Sequence, residues 1–169
     1  YTVFTPYKNA WLARIGSTGI PDHDCTPHFP ALAERPQALR TDVPTLADIG
    51  FAPTNLGSLH IPTGATGGQA LFAEFFDRMD DYHATRDFPA VKGPSYLGVH
   101  LRFGTVSVRR LAAIAMQRMV QGSAGATVWL SELVWREFYF QILANFPHVV
   151  GAAFKHDYDA IRWEHGKHA

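Results

Sequence analysis

The residues from Thr127 to Leu143 bring together side chains that could do chemistry. On a helical wheel at about 100° per residue, Trp129, Glu132, Trp135, Arg136 and Tyr139 fall within about 120° of one another. The opposite side carries Leu130, Leu133, Val134 and Phe138. A structural reading is available: Glu132 and Arg136 form an i,i+4 pair worth about a few tenths of a kcal/mol, and the indoles could be core. The chemical reading is a cavity wall. Two indoles, a carboxylate, a guanidinium and a phenol suit a flat, polar-edged aromatic ligand. They also suit an extruded nucleobase, which needs stacking surfaces and a cation.

Other constellations carry less. His23, Asp24, Cys25 and His28 offer one thiol and no second cysteine pair, so no metal site is expected. The glycine-rich run Gly64-Ala65-Thr66-Gly67-Gly68 lacks the Lys-Ser/Thr of a phosphate loop and reads as a helix start. His100 reads as a packed or surface histidine, and Arg109 and Arg110 as a solvated face.

Composition narrows the classes. The 169 residues carry 15 Lys+Arg and 15 Asp+Glu, so no whole-chain basic field draws in nucleic acid. A local patch would have to do so. Cys25 is the single cysteine, which excludes an internal disulfide framework and fits a reducing, cytoplasmic setting. No apolar run approaches the roughly 18 residues of a membrane span, so no membrane partner is expected. The start, Tyr1-Thr2-Val3-Phe4, has neither an initiator Met nor a signal-peptide layout, and Trp163 to Ala169 give no stop signal. The expectation is a fragment, and a monomer.

The elements that must position the stripe follow from breakers and periodicity. Eight of eleven prolines lie at or before Pro62. They predict an irregular connection over 16–63, an inter-domain linker. Thr66 is a plausible N-cap for a helix through Leu71, Phe72, Phe75, Phe76 and Met79, ending near Tyr82. A polar, irregular stretch is expected from His83 to about Phe103. Ser107 caps a second helix through Leu111, Ile114, Ala115, Arg118 and Met119, which Gly122 and Gly125 break. The third helix runs from about Thr127 to Asn145, with Pro147 as its stop. Nothing reads as a strand, so the fold class from about residue 64 is all-α.

Trp129-Leu130-Ser131-Glu132-Leu133-Val134-Trp135-Arg136-Glu137-Phe138-Tyr139 closely resembles the WLxELIWREFY helix of the photolyase/cryptochrome family. Leu101, Phe103, Gly104, Ser107 and Arg109 look like its LxFGxxSxR run. Tyr82, Arg86, Asp87 and Pro89 look like its YxxxRDxP segment. Tyr1, Val3-Phe4-Thr5-Pro6-Tyr7 and Trp11 resemble the end of its N-terminal α/β antenna domain. Phe146-Pro147, Phe154-Lys155, Tyr158-Asp159 and Trp163-Glu164 also follow its pattern. The resemblance covers residues 1–15 and about 64–169.

The resemblance implies a division into the end of an α/β antenna domain (1–15), a linker (16–63) and the front of an all-helical FAD- and DNA-binding domain (64–169). It implies light-driven repair of cyclobutane pyrimidine dimers by electron transfer from reduced FAD to a lesion flipped out of DNA. Tyr82 takes a position that contacts the FAD phosphates, and Arg86 one that contacts the DNA backbone. Trp129 matches a flavin-pocket residue, and Glu132 the carboxylate that hydrogen-bonds the dimer. Trp135 matches the indole against the dimer, with Tyr139 beside it. Arg136 matches a guanidinium near both cofactor and lesion. Trp163 matches the outermost tryptophan of the chain that photoreduces the flavin. A folate or deazaflavin antenna chromophore would belong to the domain outside this chain. A carboxylate facing developing negative charge needs a proton or a donor, and Arg136 is the expected neighbour. The alternative within the family is a cryptochrome-type photoreceptor that binds FAD without repair. Outside it, the alternative is a helical interaction module with no cofactor.

This sequence departs from the family at the FAD phosphate loop. The usual TSxLS reads Pro94-Ser95-Tyr96-Leu97-Gly98 here. Ser95 and Leu97 match, whereas Pro94 and Gly98 remove two hydroxyls. A hydrogen bond to a charged group is worth about 1.5–3 kcal/mol, so weaker FAD binding is expected unless backbone N–H groups substitute.

Overall fold

The structure, a computed structural model, describes residues 1–21 and 23–167. Residues 22, 168 and 169, which fall within the expected linker and helical domain, lie outside the described residues. Among the described residues every regular element is helical, as the spacing predicts. The α-helices are α1 (Phe4–Thr18), α2 (Gly64–Phe76), α3 (Tyr82–Thr85), α4 (Gly98–Phe103), α5 (Val108–Val120) and α6 (Ala124–Asn145).

Helix α6 is the hub. Helices α5, α3 and α1 all pack on it. It buries Gly125, Ala126, Trp129, Leu130, Leu133, Val134 and Phe138. Ala126, Trp129, Leu130 and Leu133 join Phe75, Met79, Leu97, Leu111 and Ala115 in one core. Each large apolar side chain taken fully out of water contributes about 1.5–3 kcal/mol.

The helix ends have local causes. The Ser107 hydroxyl accepts from the Arg110 N–H at 3.3 Å and opens α5 as expected. Helix α6 begins at Ala124, earlier than the expected Thr127. Ser123 caps it, its hydroxyl accepting from the Ala126 N–H at 3.1 Å. Gly125 is therefore not a breaker. A Cβ there would lie 2.1 Å from the Met79 carbonyl oxygen and 2.3 Å from that of Asp80, so glycine permits a close crossing. Pro147 follows the C-terminus of α6.

Helix α2 starts at Gly64 rather than after Thr66 and stops at Phe76 rather than near Tyr82. Its core-facing periodicity continues through a 3-10 turn, Met79–Asp81, into α3. The stretch expected to be irregular over 83–103 contains the end of α3 and all of α4. Gly104, at φ 67°, closes α4 in the left-handed region.

Residues 1–15, expected to end an α/β domain, form most of α1. Phe4, Tyr7, Trp11 and Ile15 recur at helical spacing and are half-buried. Phe4 and Tyr7 meet Phe138 of α6. Residues 23–66 are exposed throughout, and before α2 begins at Gly64 they contain only short 3-10 turns, at Thr26–Ala31, Gln37–Leu39 and Leu56–Leu59.

Candidate functional site

The stripe on α6 divides into three environments. Trp129 is in the core, 3% exposed. Its ring packs on Phe75, with centroids 4.9 Å apart, and on Phe72 at 6.0 Å, both from α2. The expected flavin-pocket residue is thus sealed in packing. Apolar side chains on α2 and α6 meet at that level, and an indole fills the gap between them.

Glu132, one turn on, is half-exposed and engages Arg86 at the end of α3. Arg86 Nη1 donates to Glu132 Oε1 at 2.5 Å. Arg86 also lies over the Tyr82 ring, 5.4 Å from its centroid, and near Asp87 at 3.4 Å. The bond to Glu132 is the main reason the guanidinium holds its proton still more firmly than usual. Burial pushes the Tyr82 hydroxyl up, with Glu132 and Asp87 adding to it and Arg86 opposing. The donor that Glu132 requires is therefore Arg86, not the expected Arg136. Arg136 is turned the other way, donating from Nη2 to the Leu101 carbonyl at 3.3 Å and lying over Phe140 at 4.5 Å.

Trp135 and Tyr139 form a third group, stacked with centroids 5.5 Å apart at 23°. Phe4 of α1 lies parallel to Trp135, centroids 3.5 Å apart at 7°. That geometry is what an extruded base would adopt on an indole.

Arg136 and Tyr139 border a groove of about 600 Å³ between α4 and α6. Gly98, Leu101, Arg102, Phe140 and Leu143 complete its lining. The groove combines apolar walls with two guanidinium groups, which suits a ligand that is part aromatic and part anionic. The loop Pro94–Gly98 leads into it. Leu97 is fully buried and anchors the loop. Its N–H donates to the Ser95 hydroxyl oxygen at 3.4 Å. Tyr96 is exposed with φ 56°, and Gly98 opens α4.

The structure thus joins Tyr82, Arg86 and Glu132 in one cluster, and Gly98, Arg136 and Tyr139 in one groove. It keeps Trp129 in the core, and Trp163 stands apart, 71% exposed, beyond the last turn (His156–Ala160). Sequence reasoning missed the Phe4 stack and the contributions of Arg102 and Phe140. Phe140 lies four residues after Arg136, so helical spacing could have found it. Phe4 comes from a distant segment and leaves no local signal.

Comparison with known proteins bears on this arrangement. Residues 129–169 match the family model described as the FAD binding domain of DNA photolyase. The chain is 31% identical to a deoxyribodipyrimidine photo-lyase of Synechococcus over 97% of its own length and 35% of the relative's. It is 34% identical to that of Vibrio cholerae over 88% of the chain and 31% of the relative. With that of Escherichia coli it shares 34% identity over 87% of the chain and 30% of the relative. The chain spans about a third of the length of these relatives. No solved structure matches it.

Proposed function

From the premise that this chain belongs to the DNA photolyase family, we propose that it forms the front part of the helical domain of a light-driven DNA repair lyase. The cofactor is FAD, and the substrate is a cyclobutane pyrimidine dimer flipped out of ultraviolet-damaged DNA. Blue light acting on bound, fully reduced FAD supplies the electron that opens the dimer and then returns.

The residues present fit part of that cofactor. The Pro94–Gly98 loop and the groove with Arg102 and Arg136 suit phosphates and an attached ring system, while Tyr82 is packed in the separate cluster with Arg86 and Glu132. Trp129 lies behind the site, packed on Phe72 and Phe75. The isoalloxazine contacts must come from elsewhere in the protein.

The chain's own groups have separable tasks. Flipping a base costs about a few kcal/mol, least at a poorly stacked lesion. Trp135 returns about 1–3 kcal/mol by stacking. Phe4 occupies that face now and must leave it when a lesion arrives. Glu132 hydrogen-bonds the dimer and steadies the negative charge that develops on it. Its donor Arg86 prevents two anions from facing each other bare. A guanidinium carries five N–H donors, so Arg86 can meet a DNA phosphate while its Nη1 stays on Glu132. Trp163, exposed at the surface, would hand an electron toward bound flavin during photoreduction.

The observation that carries the reading is the Arg86–Glu132 pair one turn from the Trp135–Tyr139 stack. The test uses the complete protein, a dimer-containing oligonucleotide and blue light. Glu132→Ala and Trp135→Ala are expected to lose repair while retaining flavin. Wild-type repair by both variants would remove the site assignment.

A further inference from the structure

Arg78 follows α2 and takes no part in the site described above. Its side chain crosses to a segment 14 to 16 residues further on. Nη1 donates to the carbonyl oxygens of Lys92 at 2.5 Å and Gly93 at 2.8 Å, and Nη2 to that of Pro94 at 2.8 Å. One guanidinium therefore holds three successive carbonyls. A planar fork of donors can do this, whereas an ammonium point charge cannot match it. The same group lies over Phe75 at 5.2 Å and Tyr96 at 5.9 Å from the ring centroids.

The segment is also fixed from behind. A Cβ on Gly93 would lie 2.6 Å from the Thr85 carbonyl oxygen, so the chain runs tight against the end of α3. Lys92 pairs with Glu74 of α2. Just beyond, Tyr96 holds φ 56°, a backbone state that a bulky side chain keeps only where its surroundings over-determine it.

Peptide planarity sets the other face of the loop. The Pro94 carbonyl points at Arg78, so the Ser95 N–H, trans to it across the same peptide, points away. The clamp thus turns the Ser95 N–H away from the protein's own guanidinium.

We infer that Arg78 is the positioning residue of the Pro94–Gly98 loop, holding it in the shape that receives the FAD pyrophosphate. The inference rests on the assignment of that loop under the proposed function. It addresses the loop's departure from the family pattern. With the two hydroxyls at 94 and 98 gone, the phosphates must rely on Ser95 and on backbone donors. Such donors contribute to affinity when they are ordered before the ligand arrives.

The test is FAD titration of flavin-stripped complete protein, wild type against Arg78→Met, Arg78→Lys and Arg118→Met. Arg118 is a control, because it pairs with Asp80 and covers Phe76 without touching the loop. Loss of preorganisation is expected to raise the FAD dissociation constant at least about tenfold in Arg78→Met, with partial recovery in Arg78→Lys. Arg118→Met should remain within about twofold of wild type even where its unfolding midpoint falls as far. Flavin that does bind to Arg78→Met should repair at the wild-type rate, because the residue touches neither ring nor lesion. Wild-type affinity in the Arg78 variants, or an equal loss in Arg118→Met, overturns the inference. Should Arg78→Met fail to fold, wild-type affinity in Arg78→Lys alone overturns it. A wild-type protein that takes up no FAD is a different result, which defeats the proposed function itself.

Discussion

Replacing Glu132 with Gln, Arg86 with Met, and both together isolates the ion pair that joins α3 to α6. The magnitude can be worked from its setting. The Arg86 and Glu132 side chains are 30% and 37% exposed, with the contact at 2.5 Å. A fully exposed pair is worth about 0.2–1 kcal/mol. Removing one partner of a fully buried pair costs about 3–5 kcal/mol. Exposure of about a third puts this pair near the surface limit, at about 1 kcal/mol of coupling. Arg86 keeps Asp87 at 3.4 Å and the Tyr82 ring when Glu132 is lost, which lowers the cost of the single Glu132 change. For a chain of this size about 1 kcal/mol moves the unfolding midpoint by about 2–4 °C. The assay is urea unfolding of all four proteins, followed by circular dichroism at about 0.05 M and 1 M salt. The coupling should be about 1 kcal/mol at low salt and shrink at high salt, where the Debye length falls to about 3 Å. A coupling below about 0.3 kcal/mol, or one above about 3 kcal/mol that ignores salt, would refute the assignment of a half-exposed pair. Such a small stability effect also separates folding from chemistry. If Glu132→Gln abolishes repair, misfolding cannot be the reason.

Three further outcomes follow from single features. Gly125→Ala should lower the urea midpoint more than Ala124→Gly does, because its Cβ meets the Met79 carbonyl oxygen at 2.1 Å, and equal midpoints would contradict that close crossing. Burial raises the Tyr82 and Tyr7 hydroxyl pKa values above the ordinary 10.0. Their neutral forms therefore add stability that is fully present below pH 10 and is lost as pH rises through the folded values, so Tyr82→Phe should flatten the alkaline fall in melting temperature. The 169-residue chain expressed alone should not retain stoichiometric FAD, since under the proposed function its groove and loop would form only part of the pocket. A yellow, one-to-one flavin complex of the purified chain would contradict this.

Several features of the fold were legible locally. Ser107 as a cap, Pro147 as a stop and the apolar side of α6 follow from rules that act within one or two turns. The start of α6 is not legible locally, because Gly125 looks like a breaker. Only the carbonyls of Met79 and Asp80, brought in from another segment, reveal it as a contact point. The break at Phe76 is hidden for a related reason: a 3-10 turn can carry a helical periodicity onward for a few residues.

The sequence by itself determined the helical class, the residue types on the α6 stripe and their shared side of the wheel. These depend on 3.6-residue periodicity and on side-chain chemistry, which a linear string carries. Only the tertiary structure decided which of those side chains are sealed and which are reachable. A wheel places Trp129 and Trp135 on one side, yet Phe72 and Phe75 bury the first while Phe4 stacks on the half-buried second. Arg86 rather than Arg136 became the donor to Glu132, and Arg78 came to rest under the loop. Each of these pairs residues from separate helices or loops, and no local preference encodes a partner that arrives only when the chain packs.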